Sequence, residues 1–390
     1  MGPRILTSLA ARRFFRCAHG RWAAVASCTC CVSLLSMAAT QAVELGFAQE
    51  SESWRLVSSQ FPSKAGGRPA WLGEEGMPGP ADLQCGVCQK PAAFLLQVYA
   101  PCPGCFHRTV FVFCCRDPTC HREGESRCFR VFRNQLPRKN DTYPYSPPPE
   151  AAPAGEQGRP SPELRCGARL CRVCGCLGPK QCSKCHQASY CSKEHQLLDW
   201  KAQHKKLCGG TQPEAPIPDH GFLFPEYEIV TEPEELESED QEEDDVEEPE
   251  QAACMPGQTS TDVSLTLDAQ DLESMARHES EEDMAFNRFK KRIGAEPEQV
   301  LRYCRGGQAL WMSARNVPSG ANIPDCQCGS KRIFEFQIMP QLLNHLRVDS
   351  LGDSIDWGTL SVFTCTRNCD AEKRYVEEFL WKQDVVESAK

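Results

Sequence analysis

Four pairs of metal-ligating residue types run in order along one short stretch: Cys171-x2-Cys174, Cys182-x2-Cys185, Cys191-x3-His195 and His204-x3-Cys208. Zinc takes four sulfur or nitrogen donors at tetrahedral positions, and a two-residue gap lets one tight turn aim both thiolates at one ion. On a helix a three-residue gap does the same, and Lys193 to Leu207 reads as helical with Ser192 as its N-cap. Eight donors make two closed sites with no position left for water, which marks structural rather than catalytic zinc. A segment of about forty residues buries too little apolar surface to fold alone, so metal must hold this finger together around a small core of Leu198 and Trp200. Spacing alone leaves three ways of joining four pairs into two sites.

The whole chain of 390 residues carries 26 cysteines, a number that also suits a disulfide scaffold. Such scaffolds are short, whereas here the cysteines pair two residues apart with histidines nearby, which favours zinc and a reducing compartment. The length suits roughly two or three folded units. A composition of 41% hydrophobic and 25% charged residues excludes a wholly disordered or polytopic membrane chain. The net charge of -10 is local, because residues 226–250 hold fifteen Asp or Glu and no Lys or Arg, leaving +5 on the rest. That block reads as disordered.

Residues 1–36 form an Arg-rich extension with five arginines, no lysine and no acid, open to reading as a secretory signal, a transit peptide or an incidental extension. Secretion conflicts with zinc thiolates. Met37 is an alternative start. Residues 37–140 form a β-rich cysteine module with strand-like runs at Phe94–Tyr99 and Thr109–Phe113. A Pro-rich linker follows over 141–165, the finger over 166–210, and an acidic, mostly disordered linker over 211–284 with a short helix near Asp268–His278. Residues 285–390 begin with helical stretches at Ala285–Ile293 and Pro297–Arg302 and continue with strands at Ile333–Ile338 and Leu360–Thr364.

The two terminal modules share an order of residues. Cys85-x2-Cys88 precedes Phe94, Gln97, Pro101, Val112-Phe113-x-Cys115 and Cys120; Cys326-x-Cys328 precedes Phe334, Gln337, Pro340, Val362-Phe363-x-Cys365 and Cys369. Either this is an internal repeat or short aromatic strands coincide. A repeat makes the fold α+β and β-rich, with two zinc-knuckle-like β units packed together and the finger and acidic linker inserted between them. It also makes Cys85, Cys88, Cys115 and Cys120 one candidate zinc quartet and Cys326, Cys328, Cys365 and Cys369 another, against a reading as buried inert thiols. Cys102, Cys105 and Cys128 fit no pattern and read as incidental thiols.

The finger, with Tyr190-Cys191-Ser192, Gln196, Asp199-Trp200 and His204-Lys205, resembles a MYND-type zinc finger in which His195 stands where cysteine is commoner. In that family the sites interleave, which implies Cys171, Cys174, Cys191 and His195 on one zinc and Cys182, Cys185, His204 and Cys208 on the other. Beyond the finger, Glu44-Leu45-Gly46-Phe47, Pro69-Ala70-Trp71-Leu72, Leu96–Pro101 and Val131–Pro137 resemble the programmed cell death protein 2 family from Met37 onward. The resemblance implies a nuclear and cytoplasmic protein without enzymatic activity. Relatives include chaperones of a newly made, basic small-subunit ribosomal protein, and MYND fingers dock proline-containing peptides of transcription factors and corepressors. The surface around Gln196 and Trp200 is the candidate docking site, with Trp200 also readable as core. The alternative implied function is a corepressor-recruiting nuclear regulator linked to apoptosis and proliferation.

Other chemistries fit less well. A thiol oxidoreductase expects one Cys-x2-Cys at a strand-to-helix junction, and this chain has several in loops or strands. No phosphate loop or nucleophile signature is present. Eight Lys or Arg against two acids between Cys166 and Cys208 invite DNA, but the helix lacks base-reading residues at a finger spacing and the acidic block competes with phosphate. That block instead suits a basic client, as a polyanionic mask or as a solvated spacer.

Overall fold

Period-two runs of β-branched and aromatic residues pair into ten antiparallel strands that close on themselves as a barrel. The computed structural model describes residues 42–102, 105–151, 164–210, 217–218, 220–235, 281–348, 354–369 and 374–385. The Arg-rich leader, the acidic run beyond residue 235 and the expected helix at Asp268–His278 lie outside the described residues. Before the finger come β1 (Glu44–Gln49), β2 (Lys64–Ala65), β3 (Ala93–Tyr99), β4 (His107–Cys114) and β5 (Phe129–Leu136). The finger contributes a separate hairpin, β6 (Lys180–Gln181) and β7 (Ser189–Tyr190). After it come β8 (Tyr227–Pro233), β9 (Gln299–Tyr303), β10 (Arg332–Ile338), β11 (Thr359–Cys365) and β12 (Val376–Gln383).

Around the barrel the order is β1-β8-β2-β3-β4-β5-β12-β11-β10-β9. Two meanders, β3-β4-β5 and β10-β11-β12, meet where Val376 lies opposite Arg133. The interior is filled from both, by Leu96, Val110, Val112 and Val131 on one side and Phe336, Ile338, Val362 and Leu380 on the other. Each such side chain contributes about 1.5–3 kcal/mol by leaving water.

Charge also crosses the barrel. Arg108, on the strand face of Val110 and Val112, donates from Nη2 to Glu335 Oε2 at 2.6 Å, and both side chains are fully buried. Arg133 Nε donates to Glu378 Oε1 at 2.8 Å. Burial alone raises the Glu335 carboxyl, but Arg108, Thr364 and Arg305 outweigh it and hold the group below its ordinary range.

The meanders are laid out alike. Phe94 faces Phe113 with a bulge before Leu96, and Phe334 faces Phe363 with a bulge before Phe336. Gln97 Oε1 accepts from Ala70 N at 2.9 Å and its Nε2 donates back to Ala70 O at 3.4 Å. Gln337 makes the same two bonds to Leu310, at 2.9 and 2.6 Å. The residue after each of these partners is a tryptophan, Trp71 and Trp311.

Pro297–Arg302 was expected to be helical, yet Gln299–Tyr303 is strand β9, because it is held between β1 and β10 and its pairing overrides local propensity. The acidic linker 211–284 contains β8: Ile229 turns into the barrel while Glu228 and Glu232 stay at the surface, an alternation hidden by the charge count. The Pro-rich linker is anchored by Tyr143, whose hydroxyl donates to Leu72 O at 2.7 Å. The expected helix at Ala285–Ile293 lies within Glu281–Gly294. Among the described residues no helix is long and apolar enough to cross a membrane.

The finger lies on the outer face of the first meander. Trp71, Phe94, Phe111, Phe113 and Phe132 form one apolar cluster with Val173, Ala188 and Tyr190 of the finger. Arg68 Nε donates to Val173 O at 3.2 Å and a second guanidinium nitrogen to Arg172 O. Trp71 Nε1 donates to Gly175 O at 2.8 Å. Gly175 has φ +72, with the Arg68 side chain 3.0 Å from where a Cβ would lie, so the knuckle turn needs glycine for both reasons. The expected core of Leu198 and Trp200 is corrected accordingly: both remain partly exposed, because the helix turns His195, Asp199 and His204 inward instead.

Candidate metal centres

The finger helix starts as α1 (Lys193–Asp199), passes through a π turn at Trp200–His204 and ends as α2 (Lys205–Leu207). Ser192 Oγ accepts from His195 N at 3.1 Å, fixing the first turn and with it the first histidine. The helix is held by a buried network: Tyr190 Oη and Arg172 Nε both donate to Asp199 Oδ2, at 2.7 and 2.9 Å. Burial and the neighbouring Asp199 push the Tyr190 hydroxyl up, so it stays a donor.

Four quartets of donors result: Cys171, Cys174, Cys191 and His195; Cys182, Cys185, His204 and Cys208; Cys85, Cys88, Cys115 and Cys120; Cys326, Cys328, Cys365 and Cys369. Within each, all ligand atoms lie within 4.8 Å of one another. Tetrahedral zinc sets sulfurs about 3.8 Å apart and a nitrogen about 3.5 Å from a sulfur, given its bond lengths. Cys174 and Cys191 are 3.7 Å apart, Cys182 and Cys208 3.8 Å, and Cys185 Sγ is 3.5 Å from His204 Nε2. His195 uses its other nitrogen, Nδ1, 3.6 Å from Cys171 and 3.0 Å from Cys191, and its ring stands edge-on to Phe222 at 4.2 Å.

In the barrel, Cys85 and Cys88 precede β3 while Cys115 and Cys120 follow β4, so the meander itself closes the quartet. Cys88 and Cys115 are 3.6 Å apart. Cys85 Sγ accepts from Val87 N and Cys115 Sγ from Asp117 N, each at 3.4 Å, as thiolate ligands in knuckle turns do. In the second meander Cys326 and Cys369 are 3.5 Å apart and Cys328 and Cys365 3.6 Å. The ion pair that joins the meanders also holds this loop: Glu378 accepts from Cys365 N at 3.2 Å and Arg133 donates to Cys369 O at 3.0 Å. The donor sets and spacings fit zinc, and four protein donors per quartet leave no coordination position for a substrate.

The other cysteines divide. Cys102 and Cys105, expected to be incidental thiols, are joined by a disulfide at the tip of the β3–β4 hairpin, where their backbones also pair at 3.2 and 3.1 Å. Their two-residue spacing was the available signal. Burial pushes the Cys128 thiol up to about 12, which keeps it protonated. Gln196 and Trp200 both lie partly exposed on the finger helix beside Leu197, with the Trp200 ring 5.8 Å from that of His204. Arg68, which clasps the finger, belongs to no motif.

Residues 42–150 match the N-terminal domain of programmed cell death protein 2, residues 283–384 its C-terminal domain, and residues 171–208 the MYND finger. The Mus musculus protein "Programmed cell death protein 2" is 53% identical over 364 residues, covering 91% of this chain and 100% of that protein. Its Bos taurus namesake is 54% identical over 356 residues, 89% and 97% of the two chains. "Probable 20S rRNA accumulation protein 4" of Schizosaccharomyces pombe is 34% identical over 115 residues, 26% of this chain and 28% of that protein. No solved structure matches. With both terminal domains and the finger matched, the chain belongs to the programmed cell death protein 2 family.

Proposed function

We propose that this chain is a zinc-stabilised, non-enzymatic chaperone for a basic small-subunit ribosomal protein, working in the nucleus and cytoplasm, with the finger as a second docking module. Each quartet holds one zinc, two in the finger and two in the barrel, and the two meanders are copies of one β unit. The matching bulges and the Gln97–Ala70 and Gln337–Leu310 bonds support that duplication. The observation that carries the functional reading is the set of closed quartets: they brace a scaffold without offering a reaction site. The Schizosaccharomyces pombe relative's name, tied to 20S rRNA accumulation, supports a place in ribosome biogenesis. Residues 226–250 supply negative charge for a basic client.

A second reading, recruitment of transcription-factor or corepressor peptides, is supported by the finger helix, where Leu197 is 47% exposed next to Gln196 and Trp200. DNA is disfavoured by the acidic run. Affinity purification of the full chain from cells at low salt, beside a Gln196→Ala, Trp200→Ala double variant, separates these readings. Deleting the finger is unsuitable, since it uncovers Trp71 and Phe111. One basic ribosomal protein held in near-stoichiometric amount by both forms is expected. Corepressor proteins lost from the double variant, with no ribosomal protein in either form, replace the first reading by the second.

A further inference from the structure

The two meanders present comparable outer faces, and among the described residues the finger covers only the first; Phe334 and Phe363 of the second are themselves buried, at 7% and 6% exposed, under a rim of aromatic residues. On the first meander Trp71 is 6% exposed, Phe132 5% and Phe111 fully buried, because the finger sits on them. On the second, Phe334 and Phe363 are surrounded by Val43, Trp311, Ile323, Phe379 and Trp381, all only partly buried. Trp311 corresponds to Trp71 through the shared glutamine bonds. Trp71 Nε1 is engaged by a finger carbonyl, whereas Trp311 Nε1 has no hydrogen-bond partner among the described residues. A contiguous apolar surface of this kind, rimmed by polar groups, marks an interaction site.

The surroundings say what kind of partner fits. β8 ends at the edge of this face, where Glu234 N donates to Val43 O at 2.7 Å. Glu232 and Glu235 are exposed there, and the following residues 236–250 carry ten further Asp or Glu and no Lys or Arg. Glu377 is exposed on the β12 side. Of the nearby cations, Arg305 lies 3.7 Å from Glu335 and Lys331 2.8 Å from Asp325, so both are already paired. Anything seated on the aromatic face therefore lies beside the exposed carboxylates of Glu232, Glu235 and Glu377.

We infer that the outer face of β10-β11-β12 docks a basic polypeptide segment that inserts apolar side chains between Trp311, Phe379 and Trp381. This rests on the chaperone reading above and locates the client's contact. The apolar side chains supply the lasting contact, and the carboxylates at the rim speed capture and exclude acidic chains.

The test uses the zinc-loaded full chain and two synthetic peptides of about twenty residues, the span of one side of a standard interface. Both carry the same number of Lys and Arg; one has Leu and Phe at intervals, the other Ser in their places. Fluorescence anisotropy is expected to show the apolar-basic peptide binding about tenfold or more tightly than its serine counterpart. Trp311→Ala and Phe379→Ala are each expected to remove about that tenfold advantage with zinc content unchanged, beyond the modest fall in melting temperature that loss of their packing on Phe334 and Phe363 brings. Ile323→Arg, at a partly exposed position, gives a variant that keeps the barrel core intact and is expected to weaken the same peptide. Equal binding of the two peptides, or equal binding by wild type and all three variants, overturns the inference. So does a wild-type dimer in sedimentation that Trp311→Ala dissociates, since a second copy then holds the face. The two readings fail separately. If a basic ribosomal protein accompanies wild-type and Trp311→Ala chains equally from cells, the face is wrong and the chaperone stands; if none accompanies either while the peptide result holds, the reverse is true.

Discussion

Arg108 and Glu335 are sealed inside the barrel 227 residues apart in sequence, a pairing that no local pattern announces. Removing one partner leaves the other charge buried and alone, so Glu335→Ala is expected to cost about 3–5 kcal/mol in urea unfolding at constant zinc content, while Arg108→Met with Glu335→Leu recovers most of it. His107 gives a pH signature. Its ring stacks on Phe61 at 4.2 Å and its Nδ1 meets Tyr99 Oη at 3.0 Å, and burial lowers its pKa to about 4 from an ordinary value near 6.5. The folded state thus resists the proton that the unfolded chain accepts. This site costs nothing above about pH 6.5, and stability drains away as pH falls from there towards 4. Melting curves of wild type and His107→Gln should diverge over that window, with wild type losing more; parallel curves refute the assignment. The ligands themselves were legible, because their spacing is dictated by the metal.

At the level of elements, the strands that sequence reveals are those dense in β-branched and aromatic residues, β3, β4, β10 and β11. β8 and β9 were missed because each draws its strand character from the neighbours on both sides. The finger shows the converse: its ligands and N-cap are written locally, but its apolar support comes from Trp71 and Phe111 of the barrel. Trp71→Ala is expected to destabilise the chain by about 3–5 kcal/mol. Arg68→Ala, which removes only the clasp on Val173 and Arg172, is expected to speed transfer of zinc from the finger quartets to a chelator, without changing the number of ions bound at rest. Unchanged release kinetics mean that the clasp does not steady the knuckle.

The whole molecule joins segments that lie far apart in sequence: the first and second meanders meet at β5 and β12, and the residues between them supply both the finger and β8. Closure of the barrel could not be read from sequence, since it depends on which edges meet. The shared order of Cys, Phe and Gln in the two meanders was readable. Replacing the carboxylates of residues 237–250 by amides is expected to slow capture of a basic client severalfold and flatten its salt dependence, with dissociation little changed. Stopped-flow association at two ionic strengths checks this, and identical rates would reduce the acidic run to a spacer. The central claim is that metal braces both finger and barrel, and native mass spectrometry of the full chain tests it most directly. Four zinc ions per chain are expected, falling to three when Cys88 and Cys115 are both replaced by serine. Two ions in the wild type, both lost only when finger ligands are changed, would contradict it.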